Sequence, residues 1–493
     1  MVVGLAGGAQ QSVRLSRRKA LGLAGAFAWF GIIGCGAQPQ PAAPTPAVPS
    51  PVATTTPVVP VPTETIAIKP SQPEPTATPV PSPTNVPTPV PREATWWTGP
   101  PGATWLAAAS DVSRQVTRSH PEFTVRVSGG HGDFGRLVGS MASGQAPDVI
   151  DVGSIGSFAS RGVIRTLDGY LSADTVSASN YPEPMWLNGS WSGKTYGVPA
   201  LDHGPELGLV WNASLSGNDL TAVDPPKLSS LLYAVGHTLT QPGGIGPIDR
   251  LGFDPLDGVG SLLDTVRDVT GVDWYDPISR RVNLANSMYQ EYIDGVMAYY
   301  SLIGTDRISQ FRQDVAPMTD RADSGENQGK QVALLDGYWT VGAISRLETD
   351  RAWQFLSTWA PTLKGVDRVQ RLGGRLAVIP SAAKNPTNSW DLIKVLASDR
   401  ANQTFLAGSG HCATSNSFVA GGTWKQYPGL SFFVDSIAAA SVLSGRGNNP
   451  VAGFAQVKWD QALQSLISGN QSSSEVLAMA QAAIEAEVRR LGG

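Results

Sequence analysis

The sequence predicts an α/β fold built on mainly parallel sheets with helices on both faces. Short β-prone runs alternate with helical stretches in the first part of the folded region, as strand 95–99, helix 104–119, strand 123–127, helix 134–142 and strand 148–152. Such alternation is typical of parallel strands joined by crossover helices. At 493 residues the chain is also too long for one small core, which predicts two or three domains.

The composition argues against a nucleic-acid partner and against a disulfide-stabilised fold. A net charge of −4 provides no basic field for a phosphate backbone. The 14 tryptophans favour ring stacking on the apolar C–H faces of a ligand. The two cysteines are Cys35 and Cys412, and Cys35 lies in a targeting segment, so we expect no internal disulfide.

Residues 1–34 have the layout of a signal peptide. Basic residues at 14 and 17–19 precede an apolar run at 20–34 that is too short to span a bilayer comfortably. The run ends Ile32-Ile33-Gly34-Cys35, which resembles a bacterial lipobox, where the cysteine receives a lipid. We therefore expect export and anchoring through Cys35 to the outer face of the cytoplasmic membrane. A Sec signal with a chance cysteine, and twin-arginine export through Arg17 and Arg18, remain open.

Residues 35–93 are predicted to form a tether. From Gln38 to Arg92 the chain consists mainly of Pro, Thr, Ala, Val and Ser, with almost nothing to bury in a core. Such a chain prefers extended, polyproline-like conformations. Because the tract directly follows the predicted lipid anchor, a spacer is favoured over a Pro-rich ligand for a recognition domain.

Segment 191–212 places a polar bend between two short strands. Gly193-Lys194 is typical of a hairpin turn, residues 195–199 form a strand ended by its proline, and residues 208–212 form an apolar strand. The bend at 201–206 carries a carboxylate, an imidazole and a second carboxylate. Because the flanking strands hold it, this bend suits a binding site better than a solvent loop.

The same segment resembles a passage of the family 1 extracellular solute-binding proteins of ABC importers, the maltose-binding-protein-like group. The resemblance lies in Gly193-Lys194-Thr195-Tyr196-Gly197-Val198-Pro199 and in a strand that ends Trp211-Asn212. Further matching passages follow the family's order, at 144–149, 162–168, 331–339, 373–380 and 408–413. The resemblance thus covers essentially all of residues 95–493.

This resemblance implies a two-lobed, periplasmic-binding-protein-like fold with a hinge between the lobes. Each lobe is then a mainly parallel sheet flanked by helices. The first lobe is expected to comprise residues 94–203 plus 372–416, and the second lobe residues 204–371 plus 417–493. Hinge closure would enclose the ligand and would be stabilised by contacts made only in the closed state.

Parallel-strand geometry and the resemblance together select the candidate ligand-binding residues. Ligands meet the carboxyl ends of the strands in such sheets, which places Trp97, the turn at His131 and the stretch from Asp151 to Ser154 along one rim. The full set is Trp97, His131, Asp151, Ser154, Asp202, His203, Glu206, Trp211, Tyr338, Trp339, Arg375 and His411.

The predicted roles within this set differ. The resemblance implies ring stacking by Trp97, Trp339 and Trp211. It implies hydroxyl binding by Asp151, Asp202, Glu206 and Arg375. Trp339 is also open to interpretation as a core anchor at a helix start, and His203 as a hinge residue or a loop histidine.

A glycine-rich motif competes with this interpretation. Gly130-His131-Gly132-Asp133-Phe134-Gly135 fits the dinucleotide-binding pattern, follows a strand and opens a helix. However, Asp133 would place a carboxylate where the pyrophosphate approaches the helix, and nicotinamide cofactors are scarce outside the membrane. We therefore predict no cofactor and interpret the motif as a turn at the rim of the ligand cleft.

Catalytic and metal-binding patterns are weak. The five histidines occur singly, without the spacing of a zinc site, so no metal site is predicted. Asp202 and Glu206 could be imagined as a glycosidase pair, but a sequence does not give their separation. We predict a protein that is not an enzyme.

The resemblance implies a monomeric protein that captures a carbohydrate, often an oligosaccharide, and delivers it to an ABC permease. A charged solute such as a polyamine or an iron chelate, and an exported glycoside-active enzyme, are the alternatives. A surface-display or adhesion role is conceivable because of the long tether, and it would predict no small-molecule ligand.

Overall fold

The structure is a computed structural model that describes residues 91–99, 103–129, 134–172, 174, 176–217, 220, 224–315, 324–347, 355–427, 429–469 and 471–491, the side chains of 343–347 excepted. The predicted signal peptide, Cys35, nearly all of the tether and His131 with its glycine-rich turn lie outside the described residues. The described residues belong to one compact unit, Pro89–Gly493.

The secondary structure alternates along much of the described chain. The described strands are β1 Arg92–Thr98, β2 Phe123–Gly129, β3 Val149–Val152, β4 Ser190–Trp191, β5 Lys194–Thr195, β6 Gly197–Pro205, β7 Gly208–Asn212, β8 Leu251–Phe253, β9 Tyr275–Asp276, β10 Arg281–Val282, β11 Gln331–Asp336, β12 Phe355–Thr358, β13 Val369–Val378 and β14 Val442–Gly445. The described α-helices are α1 Ala103–Ser119, α2 Phe134–Ala142, α3 Gly156–Ala159, α4 Asp168–Leu171, α5 Glu183–Leu187, α6 Ala213–Ser216, α7 Leu228–Leu231, α8 Leu263–Thr270, α9 Ser287–Ile303, α10 Thr305–Asp314, α11 Tyr338–Leu347, α12 Pro386–Leu396, α13 Asp399–Ser409, α14 Asn416–Gly421, α15 Leu430–Ala439, α16 Ala452–Ile467 and α17 Ser473–Arg490. Short 3₁₀ turns lie at Ala178–Asn180, Gly258–Ser261 and Thr423–Gln426, and a π-helical segment at Leu232–His237 continues α7.

The first sheet has six strands. Five follow the order β14-β13-β3-β1-β2, and β6 pairs with β13 as the sixth. β1 is parallel to β2 and to β3, as the alternation of strands and helices predicts. β13 runs antiparallel to β3 and β6. The carboxyl ends of β1, β2 and β3 therefore meet at one edge of this sheet.

The second sheet has four strands in the order β12-β7-β11-β8. β7 is antiparallel to both of its neighbours, while β8 is parallel to β11. Because β7 lies between two strands and both faces of the sheet are covered, all five of its residues are buried. An apolar run without polar alternation is typical of such a strand.

Two connections join the sheets. β6 of the first sheet continues through Glu206 and Leu207 into β7 of the second. β12 of the second sheet leads through residues 359–368 to β13 of the first. The first half of β13 also pairs in parallel with β14, after which the chain enters α16 and α17.

Each sheet has its own main apolar core. Trp96, Trp105 and Phe405 belong to the core of the first sheet, where α1 packs on α13. Phe253 and Trp459 belong to the core of the second, and Trp459 lies on α16. The two C-terminal helices, α16 and α17, thus complete the second core. None of the described helices is long and apolar enough to cross a membrane.

The structure corrects the prediction for segment 195–206. Pro199 does not end a strand, since β6 runs on to Pro205 and all its residues are buried. Within the sheet β6 pairs only with β13, so a residue without an N–H donor is tolerated there. The hairpin between β4 and β5 turns at Ser192 and Gly193, which both have positive φ, one residue earlier than predicted.

Candidate functional site

A distortion of β6 lies where it pairs with β13. Gly374 is opposite His203 and Leu376 is opposite Pro199, so three residues of β6 face one residue of β13, Arg375. Within this bulge Leu201 has a φ of 59°, which is uncommon for a leucine. Bulges and such backbone outliers often redirect a side chain next to a functional site.

Gly374 allows the two strands to approach at the bulge. It has a φ of 134°, and a Cβ at this position would overlap the carbonyl oxygen of Asp202. A glycine is therefore required for the close contact. The bulge places Asp202 and Arg375, which are far apart in sequence, side by side where the chain leaves the first sheet.

Asp202 is buried and held by two donors. The phenol of Tyr338 donates a hydrogen bond to its Oδ1, and Nδ1 of His411 lies 3.1 Å from the same oxygen. Burial alone would raise the pKa of Asp202, but the charge and hydrogen bond of His411, the bond from Tyr338 and the charge of Arg375 lower it to about 2. Asp202 is therefore ionised at neutral pH.

Asp151 lies at the carboxyl end of β3 and is also held by protein donors. Nε1 of Trp96 donates to its Oδ1 at 3.0 Å, and the hydroxyl of Thr98 donates to its Oδ2 at 2.7 Å. The Thr98 hydroxyl accepts in turn from Nε1 of Trp105, at 2.7 Å. Burial raises the pKa of Asp151 to about 6, against the effect of these bonds and of Arg375.

Arg375 differs from these carboxylates because its guanidinium donates no hydrogen bond to any residue that the structure describes. The side chain is partly buried, and burial lowers its pKa, while the charges of Asp202 and Asp151 act against this. It packs over Gly99, where a Cβ would overlap Nη1. Arg375 thus presents unused donors at the carboxyl end of β1.

Aromatic rings from two helices, α1 and α11, meet at His411. The ring of Trp105 on α1 contacts the imidazole edge-on at a centroid distance of 4.8 Å. Trp339, at the start of α11, lies nearly parallel to the imidazole, at 6.4 Å and 10°. Trp339 is only partly buried, so one part of its ring remains open to a ligand.

Trp97 and Ser154 lie on the rim of the first sheet. Trp97 is partly buried and carries the guanidinium of Arg136 5.8 Å from its ring centre. Ser154 follows β3, and its hydroxyl oxygen is buried without a hydrogen-bond partner among the described residues. Trp97 and Ser154 remain predicted ligand-binding residues, and His131 lies outside the described residues.

His203 is placed differently from the prediction of a ligand-binding residue. It is 1 % exposed, and its two ring nitrogens face Nδ2 of Asn188 at 2.9 Å and the carbonyl oxygen of Arg375 at 3.2 Å. Burial lowers the pKa of His203 to about 4, so the ring is neutral and Nε2 accepts from Asn188. It positions the backbone of Arg375 and has no nitrogen left for a ligand.

Glu206 is likewise corrected to a structural role. It is fully buried, with Oε2 3.2 Å from Nε of Arg371 and 2.7 Å from Nε of Arg446. Arg446 also forms an ion pair with Oε1. Arg371 extends the network to Asp268 of α8 at 2.5 Å, so these charges join the two sheets.

Trp211 is the third correction. It is 0 % exposed and belongs to the core of the second sheet. Its indole N–H has no hydrogen-bond partner among the described residues. A ring enclosed in a core has no face for a sugar, and β7 buries Trp211 because the strand is covered on both faces.

The sequence did not predict a role for several residues of this region. Arg371, Arg446 and Asp268 form the charge network around Glu206, and Trp105 and Asn188 position His411 and His203. Lone arginines and an asparagine after a short helix carry no recognisable pattern. Among the described residues, no three His, Cys, Asp or Glu side chains are placed to hold a metal ion.

The chain matches a known family over most of its folded part. The model of the family described as bacterial extracellular solute-binding protein matches residues 113–431. Among curated proteins, none matches the chain.

Solved structures share the fold at low identity. Mannobiose-bound CpMnBP1 is 20% identical with a TM-score of 0.70, covering 80% of this chain and 99% of its own. The MalE maltose/maltodextrin-binding domain of Bdellovibrio bacteriovorus, bound to maltotriose, is 17% identical with a TM-score of 0.63, covering 80% and 100%. The GacH receptor of Streptomyces glaucescens, studied unliganded and with acarbose, is 18% identical with a TM-score of 0.63, covering 82% and 98%.

These matches confirm the predicted α/β, two-lobed, periplasmic-binding-protein-like fold. The expectation that each lobe has a mainly parallel sheet is wrong for the second sheet, because β7 is antiparallel to both of its neighbours. The family match extends over more than half of the chain and includes all strands of the second sheet and the bulge between β6 and β13. The chain belongs to the family of bacterial extracellular solute-binding proteins.

Proposed function

We propose that this protein captures a carbohydrate, in particular an oligosaccharide, between its two lobes and delivers it to an ABC import permease. The observation that carries the proposal is the convergence of Asp202, Arg375, His411 and Trp339 where the chain passes from one sheet to the other. Proteins of the same fold have been solved with mannobiose and maltotriose bound, which supports a saccharide as cargo.

Each of these groups has a role in saccharide binding. Trp339 offers a partly open ring for the C–H face of a sugar. Arg375 offers unused N–H donors, and Ser154 a buried hydroxyl without a partner among the described residues. Asp202 stays ionised and accepts hydroxyl protons. Trp97 faces the same rim from β1.

Closure of the lobes would bring the ligand-binding side chains of both lobes into contact with the ligand. We propose residues 94–203 plus 372–416 for the first lobe and residues 204–371 plus 417–493 for the second, except that β14 pairs with β13 in the sheet of the first lobe. The ligand stabilises the closed arrangement because it contacts both lobes only in that arrangement. The protein acts as a monomer that docks on the permease.

The N-terminal segment fits this function. We propose that residues 1–34 direct export, that Cys35 receives a lipid, and that the Pro-rich tract tethers the binding unit to the outer face of the membrane. At about 3.1 Å per extended residue, the tract spans on the order of 100 Å. A tether of this length allows the unit to sample solute and still reach the permease.

A polyamine and a glycosidase substrate fit the geometry less well. A polyamine needs unengaged carboxylates, yet Asp151 and Asp202 are held by protein donors and the unengaged group is the Arg375 cation. A glycosidase needs two carboxyl groups that reach the substrate, and Glu206 is fully buried between two arginines.

A thermal-shift screen tests the proposal. The exported chain from residue 35, with Cys35→Ser to prevent lipidation, is heated with sugars, oligosaccharides, polyamines and ferric complexes. A ligand at one hundred times its dissociation constant adds about 2.7 kcal/mol of apparent stability. We expect a shift with one class of saccharide and no turnover of chromogenic glycosides. A folded, ligand-free protein that responds to no saccharide contradicts the proposal.

A further inference from the structure

The acidic side chains around the bulge all have protein partners. Asp151 accepts from Trp96 and Thr98, and Asp202 accepts from Tyr338 and lies against His411. Glu206 is paired with two arginines. Buried carboxylates with such partners recover at least part of the free energy that burial costs them without a ligand.

The arginines of the region differ in this respect. Arg371 pairs with Glu206 and Asp268, and Arg446 pairs with Glu206. Arg267 pairs with Asp268 at 2.8 Å. Arg375 is the exception, because it makes neither an ion pair nor a side-chain hydrogen bond with any described residue.

This exception is costly for the free protein. A guanidinium that loses water without gaining partners is destabilised, and burial indeed lowers the pKa of Arg375. A hydrogen bond from the guanidinium to a neutral hydroxyl recovers part of the lost solvation free energy. A hydrogen bond to an ionised acceptor is about twice as strong. The planar fork of a guanidinium also matches the two oxygens of a carboxylate.

The backbone around Arg375 is built to hold the side chain in place. The bulge of β6 faces it, His203 binds its carbonyl oxygen, and Gly99 leaves room for its guanidinium. In the antiparallel register, Leu376 is opposite Val152, so Arg375 comes next to the chain that leads to Ser154. The buried hydroxyl of Ser154 is a second donor without a partner among the described residues.

We propose that the cargo is an acidic saccharide, and that a carboxylate of a uronic acid unit binds the guanidinium of Arg375. This inference rests on the proposed function, and it specifies the class of saccharide. The charges of Asp202 and Asp151 also act on Arg375 and oppose a second anion there, while the charge of His411 and the hydrogen bond from Tyr338 offset part of the charge of Asp202. The same geometry disfavours a cargo that is wholly neutral.

Matched disaccharides test the inference by isothermal titration calorimetry. Dimannuronate, digalacturonate and diglucuronate are compared with neutral mannobiose, galactobiose and cellobiose, which carry CH₂OH in place of the carboxylate. A sulfated disaccharide is included to separate a carboxylate from another anion. The protein is the exported chain from residue 35 with Cys35→Ser.

We expect one uronate to bind about 30-fold or more tightly than its neutral counterpart, and more weakly as salt is added. Arg375→Gln should remove this preference, while Arg375→Lys should keep part of it. Arg126→Gln, at an exposed surface pair with Glu93, is the matched control and should leave binding unchanged. Thermal unfolding of each variant verifies that it is folded.

Any other outcome contradicts the inference. The results also distinguish a failure of the acidic class alone from a failure of the proposed saccharide function. If neutral disaccharides bind as tightly as the uronates, and Arg375→Gln affects both equally, the saccharide function stands and the acidic class is wrong. If only the sulfated sugar binds, the carboxylate is wrong. If no saccharide binds the folded protein, the proposed function fails together with the inference.

Discussion

The phenol of Tyr338, at the first position of α11, donates a hydrogen bond to Asp202 in the bulge of β6. This bond connects the second sheet to the first, because α11 follows β11 and β6 pairs with β13. Both residues are almost fully buried. The charge of Asp202, on a strand of the first sheet, is therefore stabilised by a donor from the helix that follows a strand of the second sheet.

Removal of this donor should destabilise the protein. Tyr338→Phe leaves a buried carboxylate with one donor fewer, and hydrogen bonds to charged groups contribute about 1.5–3 kcal/mol. Tyr299→Phe is the matched control, because the buried Tyr299 phenol donates to a neutral carbonyl, that of Phe253 at 2.5 Å. Urea unfolding at pH 7 should show the larger loss for Tyr338→Phe. Equal losses would mean that the charge of Asp202 adds nothing to the bond.

Trp339 and Trp211 should respond in opposite ways to truncation. Trp339 is partly exposed beside His411, so Trp339→Ala should weaken saccharide binding by about 1–3 kcal/mol with little loss of stability. Trp211 is 0 % exposed, so Trp211→Ala should cost about 3–5 kcal/mol of stability. Calorimetric titration and thermal unfolding separate the two effects. Unchanged affinity with a large stability loss in Trp339→Ala would assign that ring to the core.

The sequence predicted the elements of the first lobe well. Local alternation marks β1, α1, β2, α2 and β3 to within a few residues, because each has its own apolar periodicity and flanking glycines or prolines. Asp202 and Arg375 were also selected, although only the resemblance connected them. Their contact depends on pairing between β6 and β13, which are remote in sequence.

The incorrect predictions from the sequence also arise from contacts between residues that are remote in the chain. Pro199 ends a strand by local rules, yet pairing with β13 extends β6 to Pro205. His203 and Glu206 were interpreted as ligand groups because polar residues in a bend usually face solvent or ligand. Their partners Asn188 and Arg371 are remote in sequence, and only the fold brings them close enough to satisfy these side chains.

The buried charge network should be sensitive to the loss of one member. Arg371→Met leaves Glu206 with Arg446 and Asp268 with Arg267, each short of one partner, and should cost about 3–5 kcal/mol. Arg368→Met is the control, because Arg368 pairs with Asp224 at the surface and should contribute less than about 1 kcal/mol. Urea unfolding measures both. A small effect of Arg371→Met would show that the network rearranges without this arginine.

Asp151 should make stability depend on pH in a direction that is unusual for a carboxyl group. Burial raises its pKa from 3.8 in the unfolded chain to about 6 in the folded protein. The folded state therefore holds the proton more tightly, so the contribution of Asp151 to stability is full below pH 3.8 and is lost as the pH rises through 6. A shift of about two pKa units corresponds to about 3 kcal/mol.

Asp151→Asn removes this titration and isolates the contribution. The free energy of unfolding of the native protein, minus that of the variant, should fall by up to about 3 kcal/mol between pH 4 and pH 7. Titrating groups that do not interact with Asp151 act in both proteins and cancel in the difference, while Asp202, which does interact with it, has a pKa of about 2 and stays ionised from pH 4 to pH 7. Urea unfolding at intervals of one pH unit measures it. A constant difference across this range would mean that Asp151 keeps an ordinary pKa, and that Trp96, Thr98 and Arg375 compensate its burial fully.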